Sequence, residues 1–195
     1  MMYLIAGLVL FLGVHSTRVF ANNWRNQTLA RMGEKPFKGV YSVLSLAGFV
    51  LLVWGYGQAR QLGVMLWNPP TGMRHIAALL TLLAFVLWAA SGVPRNQIKA
   101  KLHHPMVLSV KVWALAHLLA NGSLADTVLF GSFLLWAVVL FAASRKRDRR
   151  EQTVYPAGTT NMTIVTVVAG LAFWAVFAFW LHRLLIGVSP LGAMG

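Results

Sequence analysis

Residues 124–150 read LADTVLFGSFLLWAVVLFAASRKRDRR, and this stretch decides the fold. Its first twenty residues, Leu124–Ala143, contain one acid near the start and no base. A helix rises about 1.5 Å per residue, so twenty residues reach about 30 Å, the thickness of the bilayer hydrocarbon. Apolar residues occupy every face rather than one stripe, as in a helix surrounded by lipid or by other helices. Five bases follow at once: Arg145, Lys146, Arg147, Arg149 and Arg150. An apolar span closed by a basic block is a transmembrane helix with that end in the cytoplasm.

Five further stretches fit the same pattern: Met2–Phe20, Gly39–Tyr56, His75–Gly92, Pro105–Ala120 and Met162–Val188. Pro105–Ala120 is the shortest and carries Lys111 within it. Met2–Phe20 lacks a basic leader and no Ala-x-Ala site follows it, so it reads as a retained helix rather than a signal peptide. The expected fold is all-α: a polytopic bundle of six transmembrane helices in a single membrane-embedded domain, residues 1–195. Composition agrees. The 195 residues are 58% apolar and 11% charged, with mean hydropathy +0.66. Soluble domains run about 45–50% apolar and about 25% charged. A soluble single-core enzyme and a disordered chain are both excluded.

Seventeen Lys and Arg oppose four Asp and Glu, a formal charge of +13. Thirteen of the bases fall in the first, third and fifth loops and their flanks; only Arg60, Arg74 and Arg183 fall on the other side. The positive-inside rule then places both termini outside the cytoplasm. The charge sits in short loops abutting helices, so its partners are anionic lipid headgroups, not nucleic acid. The longest loops, about Ala21–Lys38 and Ser144–Asn161, read as turns and caps around Asn22, Asn23, Gly33, Pro36, Pro156 and Gly158. Gln61–Pro70, with Leu62, Val64, Leu66 and Trp67, is expected along the outer interface.

The chain has no cysteine. Disulfides, thiolate metal sites and a covalent c-type haem are excluded. With only four acids a carboxylate cage is disfavoured as well. A redox cofactor has to be held non-covalently, through His, Met or carboxylate. Ionisable groups inside a bilayer are costly and mark candidate sites. They are His15, Arg18, Lys111 and His117, with His75, His103, His104 and His182 at helix edges. Two internal histidines, His15 and His117, are what a bis-His haem b requires. Trp113 and Ala114 lie at i−4 and i−3 on the His117 face, one to stack and one to leave room. Arg18 is placed to neutralise a haem propionate near the cytoplasmic rim. The competing reading makes the histidines interhelical hydrogen-bond donors. His75 and His182 read as solvated at the outer interface, and His103 and His104 as headgroup contacts. Lys111 reads as snorkelling and Asp126 as a cap on the fifth helix.

The runs Gly13-Val14-His15-Ser16-Thr17-Arg18, Lys38-Gly39-Val40-Tyr41-Ser42, Val53-Trp54-Gly55-Tyr56-Gly57, His104-Pro105 and Lys111 through Gly122 together resemble the NnrU family. The likeness runs from the first helix to the Ile186–Leu191 tail, and Trp113–Gly122 is its most specific part. The resemblance implies a multi-pass protein of the bacterial inner membrane, linked by its name to nitrite and nitric oxide reduction. It also implies kinship with the plant and cyanobacterial zeta-carotene isomerase, a membrane haem b protein. The haem-binding histidines of that enzyme fall in the segments matching His15 and His117. The isomerase carries a Cys where this chain has Ala114, so a thiolate ligand is unavailable here.

The resulting expectation is a haem b protein with His15 and His117 as metal ligands and Arg18, Trp113 and Ala114 around the cofactor. Its role is redox or denitrification-linked. The alternatives are a cis–trans isomerase of a polyene or carotenoid held between helices, and a non-catalytic accessory protein for a respiratory membrane complex. A hydrophobic substrate or respiratory membrane proteins are the corresponding partners, beside the lipid bilayer.

Overall fold

Each apolar stretch is helical in the computed structural model, which describes residues 1–191. The last four residues of the expected 1–195 domain lie outside the described residues. The elements are α1 (Met2–Phe20), α2 (Asn22–Met32), α3 (Glu34–Arg60), α4 (Met73–Gly92), α5 (Gln97–Leu102), α6 (Pro105–Ala120), α7 (Leu124–Glu151) and α8 (Thr160–Val176). A π turn (Phe177–Leu181) then leads into α9 (His182–Ile186). Five helical segments are long and apolar enough to cross a bilayer: α1, α3, α4, α7 and the continuous Thr160–Ile186. The sixth apolar helix, α6, has 16 residues, about 24 Å at 1.5 Å per residue. Pro105 starts it at the first helical turn and extended Asn121 stops it. The protein is a multi-pass helical membrane protein.

Both long loops are largely helix instead of turns. Ala21–Lys38 folds as α2 and the first turn of α3. Gly33 separates them at φ 81, a backbone that costs glycine nothing. Pro36 sits in the first turn of α3, where the missing N–H is not needed. No residue of α2 is buried, so it has no apolar period to read. Ser144–Glu151 continues α7.

Cα packing divides the chain into two compact units: Met1–Trp67 with Gly122–Trp136, and Asn68–Asn121 with residues 137–191. In the first unit α1 and α3 run antiparallel. Leu4, Leu8, Phe11 and His15 recur every three or four residues and form one face of α1. Gly48, Leu52, Gly55 and Ala59 form the buried face of α3. The backbones meet at the small residues. A Cβ on Gly48 would lie 2.8 Å from the Phe11 nitrogen, and Gly55 abuts the backbone of Tyr3 and Leu4. Lipid is as apolar as leucine, so close packing, not hydrophobicity, holds such helices together. The outer face of α3 exposes Val43, Leu46, Phe49, Val50 and Trp54, a surface suited to lipid.

Ser123 and Asp126 start α7 as a reciprocal capping box: Asp126 N–H donates to Ser123 Oγ at 3.1 Å, and Ser123 N–H to Asp126 Oδ2 at 3.3 Å. Ser123 is therefore the cap, and Asp126 its partner three residues on. Asp126 also accepts the Tyr56 hydroxyl across the unit.

In the second unit α4 packs on α6 and α8. Gly170 of α8 lies against Val86, where a Cβ would stand 2.6 Å from the Val86 Cα. Asn96 joins the elements at the end carrying the third loop. It is 1% exposed. Its Oδ1 accepts the Lys99 N–H at 2.7 Å and caps α5, while its Nδ2 donates to Ala90 O at 3.0 Å and Val93 O at 2.6 Å.

Candidate functional site

His15 continues the α1 face that meets α3, so it turns inward in the first unit and is half-buried. Its ring centroid lies 4.3 Å from Phe11, 5.4 Å from Tyr41 and 6.4 Å from Trp136. Trp136 is held by its own hydrogen bond, Nε1–H to Ser16 Oγ at 3.0 Å. His15 Nδ1 stands 2.7 Å from the Phe11 carbonyl oxygen. A carbonyl only accepts, so Nδ1 bears a proton, and in the neutral ring Nε2 is the nitrogen with the lone pair. Arg18, the residue expected beside a propionate, is exposed in this unit.

His117 lies in the second unit, near the end of α6, and shows the same arrangement. Its Nδ1 is 2.8 Å from the Trp113 carbonyl oxygen and so bears a proton, which in the neutral ring leaves the lone pair to Nε2. Trp113 packs against it with centroids 5.1 Å apart. Both face a cavity of about 380 Å3, inside the range of small-molecule pockets, which begins at about 300 Å3. Phe85, Trp174 and Phe177 supply most of the remaining aromatic wall. Trp174 Nε1–H donates to Thr81 Oγ1 at 3.2 Å and ties α8 to α4 there. Ala114 is fully buried, and the small cavity-lining residues are Ala77, Ala78, Ala120 and Ala178 instead.

The cavity reaches two residues that the sequence placed at the outer interface, or only counted among the outer charges. His182 lines it, and so does Arg74. His182 follows the π turn, which inserts extra chain into the helix and changes the direction of the side chains beyond it. Gly187, left-handed at φ 79, ends α9 and turns the chain back. The Val188 carbonyl thereby receives His182 Nδ1–H at 2.7 Å. No apolar period announces a π turn, so the sequence carried no signal for the placement of His182.

At the opposite end of this unit His103 and His104 are engaged by the protein and not left to headgroups. His104 Nε2–H donates to Asp148 Oδ2 at 2.7 Å, and the Tyr155 hydroxyl donates to the same oxygen at 3.0 Å. His103 stacks on Tyr155 at 4.1 Å and 15°. Its Nδ1 also approaches Asp148 at 3.9 Å. That nitrogen already accepts from the Arg145 guanidinium, which can only donate, so the Asp148 approach is no hydrogen bond. His103 has φ 70 and ψ −51, and the His104 N–H reaches back to Leu102 O at 2.9 Å. This is a strained γ-turn, held in place by the contacts of both imidazoles. Burial first, and the Asp148 hydrogen bond and charge second, push the Tyr155 hydroxyl above its ordinary pKa of 10.0. Lys111 points over the Phe141 ring at 5.2 Å, a cation–π contact that stabilises a charge low in solvent.

Among the described residues no group of three or more His, Cys, Asp or Glu is arranged to hold a bare metal ion. The arrangement offers single imidazole nitrogens beside aromatic walls, which suits the axial coordination of a flat macrocycle. A family model described as NnrU protein matches residues 3–190. No curated protein and no solved structure matches the chain.

Proposed function

The chain belongs to the NnrU family, and from that premise we propose that it is a redox protein of the bacterial inner membrane that holds haem b on His15 and His117. The observation that carries this reading is the tautomer of the two imidazoles. Each donates Nδ1–H to the carbonyl four residues earlier. That bond orients the ring and raises the basicity of Nε2, as it does for metal-bound histidines in general. Each ring is flanked by aromatic side chains, Phe11, Tyr41 and Trp136 for His15 and Trp113 for His117. These exclude water and lower the local dielectric.

When bound, haem b supplies one-electron chemistry with a potential tuned by its axial ligands. The residues of this chain orient the two nitrogens, exclude solvent and supply no thiolate. Ala114 in place of the isomerase cysteine separates this reading from carotenoid isomerisation.

The test is an absorption spectrum of protein purified from haem-supplied cells. A Soret band with low-spin features is expected, shifting to high-spin in His15→Ala and in His117→Ala. A full-length membrane preparation without a Soret band refutes the reading.

A further inference from the structure

Among the described residues no carboxylate pairs with Arg74. The four acidic side chains are all engaged elsewhere. Glu34 pairs with Lys38, Asp126 with Tyr56 and Ser123, Asp148 with His104 and Tyr155, and Glu151 with Arg150. None of them lines the cavity that Arg74 shares with His117. Among the described residues that line that cavity, Arg74 alone is charged at every physiological pH. It lies in the first turn of α4 and is exposed, so its guanidinium stays solvated until a ligand arrives. The wall behind it is aromatic and apolar. A ligand complementary to this cavity is flat and apolar where it meets Trp113 and Phe85, and anionic where it meets Arg74. A guanidinium and a carboxylate match as a planar two-point hydrogen-bonded pair.

We propose that Arg74 is the carboxylate-binding residue of the His117 cavity, and that it seats the acidic side chains of haem b at the end of the second unit away from the basic loops. This assignment rests on the haem reading above and differs from the sequence expectation, which gave the propionate to Arg18.

Purified haem-free protein in neutral detergent is titrated with haem b and with its dimethyl ester, which lacks the carboxylates. Uptake is read from the Soret band and from tryptophan quenching. The unaltered protein is expected to prefer haem b over the ester by about tenfold, the scale of one charge-assisted pair partly screened by solvent. Arg74→Gln should lose that preference and bind both forms like the ester, Arg74→Lys should keep part of it, and Arg18→Gln should leave it intact. Arg74 is exposed, so these variants fold. An Arg74→Gln protein with the unaltered preference overturns the assignment. An unaltered protein that takes up neither form, by either readout, overturns the haem reading as well.

Discussion

Replacing Gly48 by alanine sets two effects of known sign against each other. In an exposed helix interior, glycine to alanine stabilises by about 0.8–1 kcal/mol, because glycine loses more backbone freedom on folding. At Gly48 the added Cβ would stand 2.8 Å from the Phe11 nitrogen and 3.0 Å from the Phe11 Cα. Both partners are backbone, so α1 must retreat by about half an ångström to restore ordinary contact. Overpacking of this kind destabilises by about 1–3 kcal/mol. The net expectation for Gly48→Ala is a loss of up to about 2 kcal/mol. Gly57, in the same helix, has nothing within 4 Å of its virtual Cβ, so Gly57→Ala should gain up to about 1 kcal/mol. The same chemical change therefore has opposite signs nine residues apart. Detergent-to-SDS unfolding of the purified protein, followed by far-UV circular dichroism, measures both. A Gly48→Ala protein as stable as Gly57→Ala refutes the close-packed account of α1 on α3. The Phe11 carbonyl also fixes the His15 ring, so Gly48→Ala should broaden any low-spin haem spectrum while Gly57→Ala leaves it unchanged.

Other expectations follow from single side chains. Asn96→Ala removes a cap and two donors to buried carbonyls, for a loss of about 3 kcal/mol in the same unfolding assay. Asn96→Asp keeps the cap acceptor and should fall between that variant and the wild type. Ser123→Ala breaks the capping box at the start of α7 and should cost about 1 kcal/mol. Tyr155, whose folded pKa lies above 10.0, favours the folded state fully below pH 10. That contribution fades as pH rises through the folded value, because only the unfolded chain ionises easily in between. An ultraviolet pH titration should show one late-ionising tyrosine outside the membrane, and Asp148→Asn should bring it part of the way back.

The polar residues show where sequence reading stops. Asp126 announces a helix start, but its bond to Tyr56, seventy residues away, has no local signature. The pair His103–His104 sits beside Pro105 and reads as interfacial, yet Asp148 and Tyr155 reach it from the far end of α7 and the loop beyond. α2 has no legible period because its few apolar residues, Trp24, Leu29, Ala30 and Met32, do not form a helical stripe amid polar ones. The histidines of the candidate site were legible as residue types within apolar runs, since an imidazole there stands out. Their tautomers were not, because these depend on which carbonyl lies within hydrogen-bond reach.

Sequence alone determined the solvent of this protein and its helical class. The bilayer permits only internally hydrogen-bonded spans and penalises charge inside them, so length and hydropathy suffice. Tertiary structure alone decided which polar groups share a site. Arg74, His117 and His182 are separated by 43 and 65 residues and line one cavity. Helix packing and a π turn place them there, and neither leaves a periodic trace in the chain.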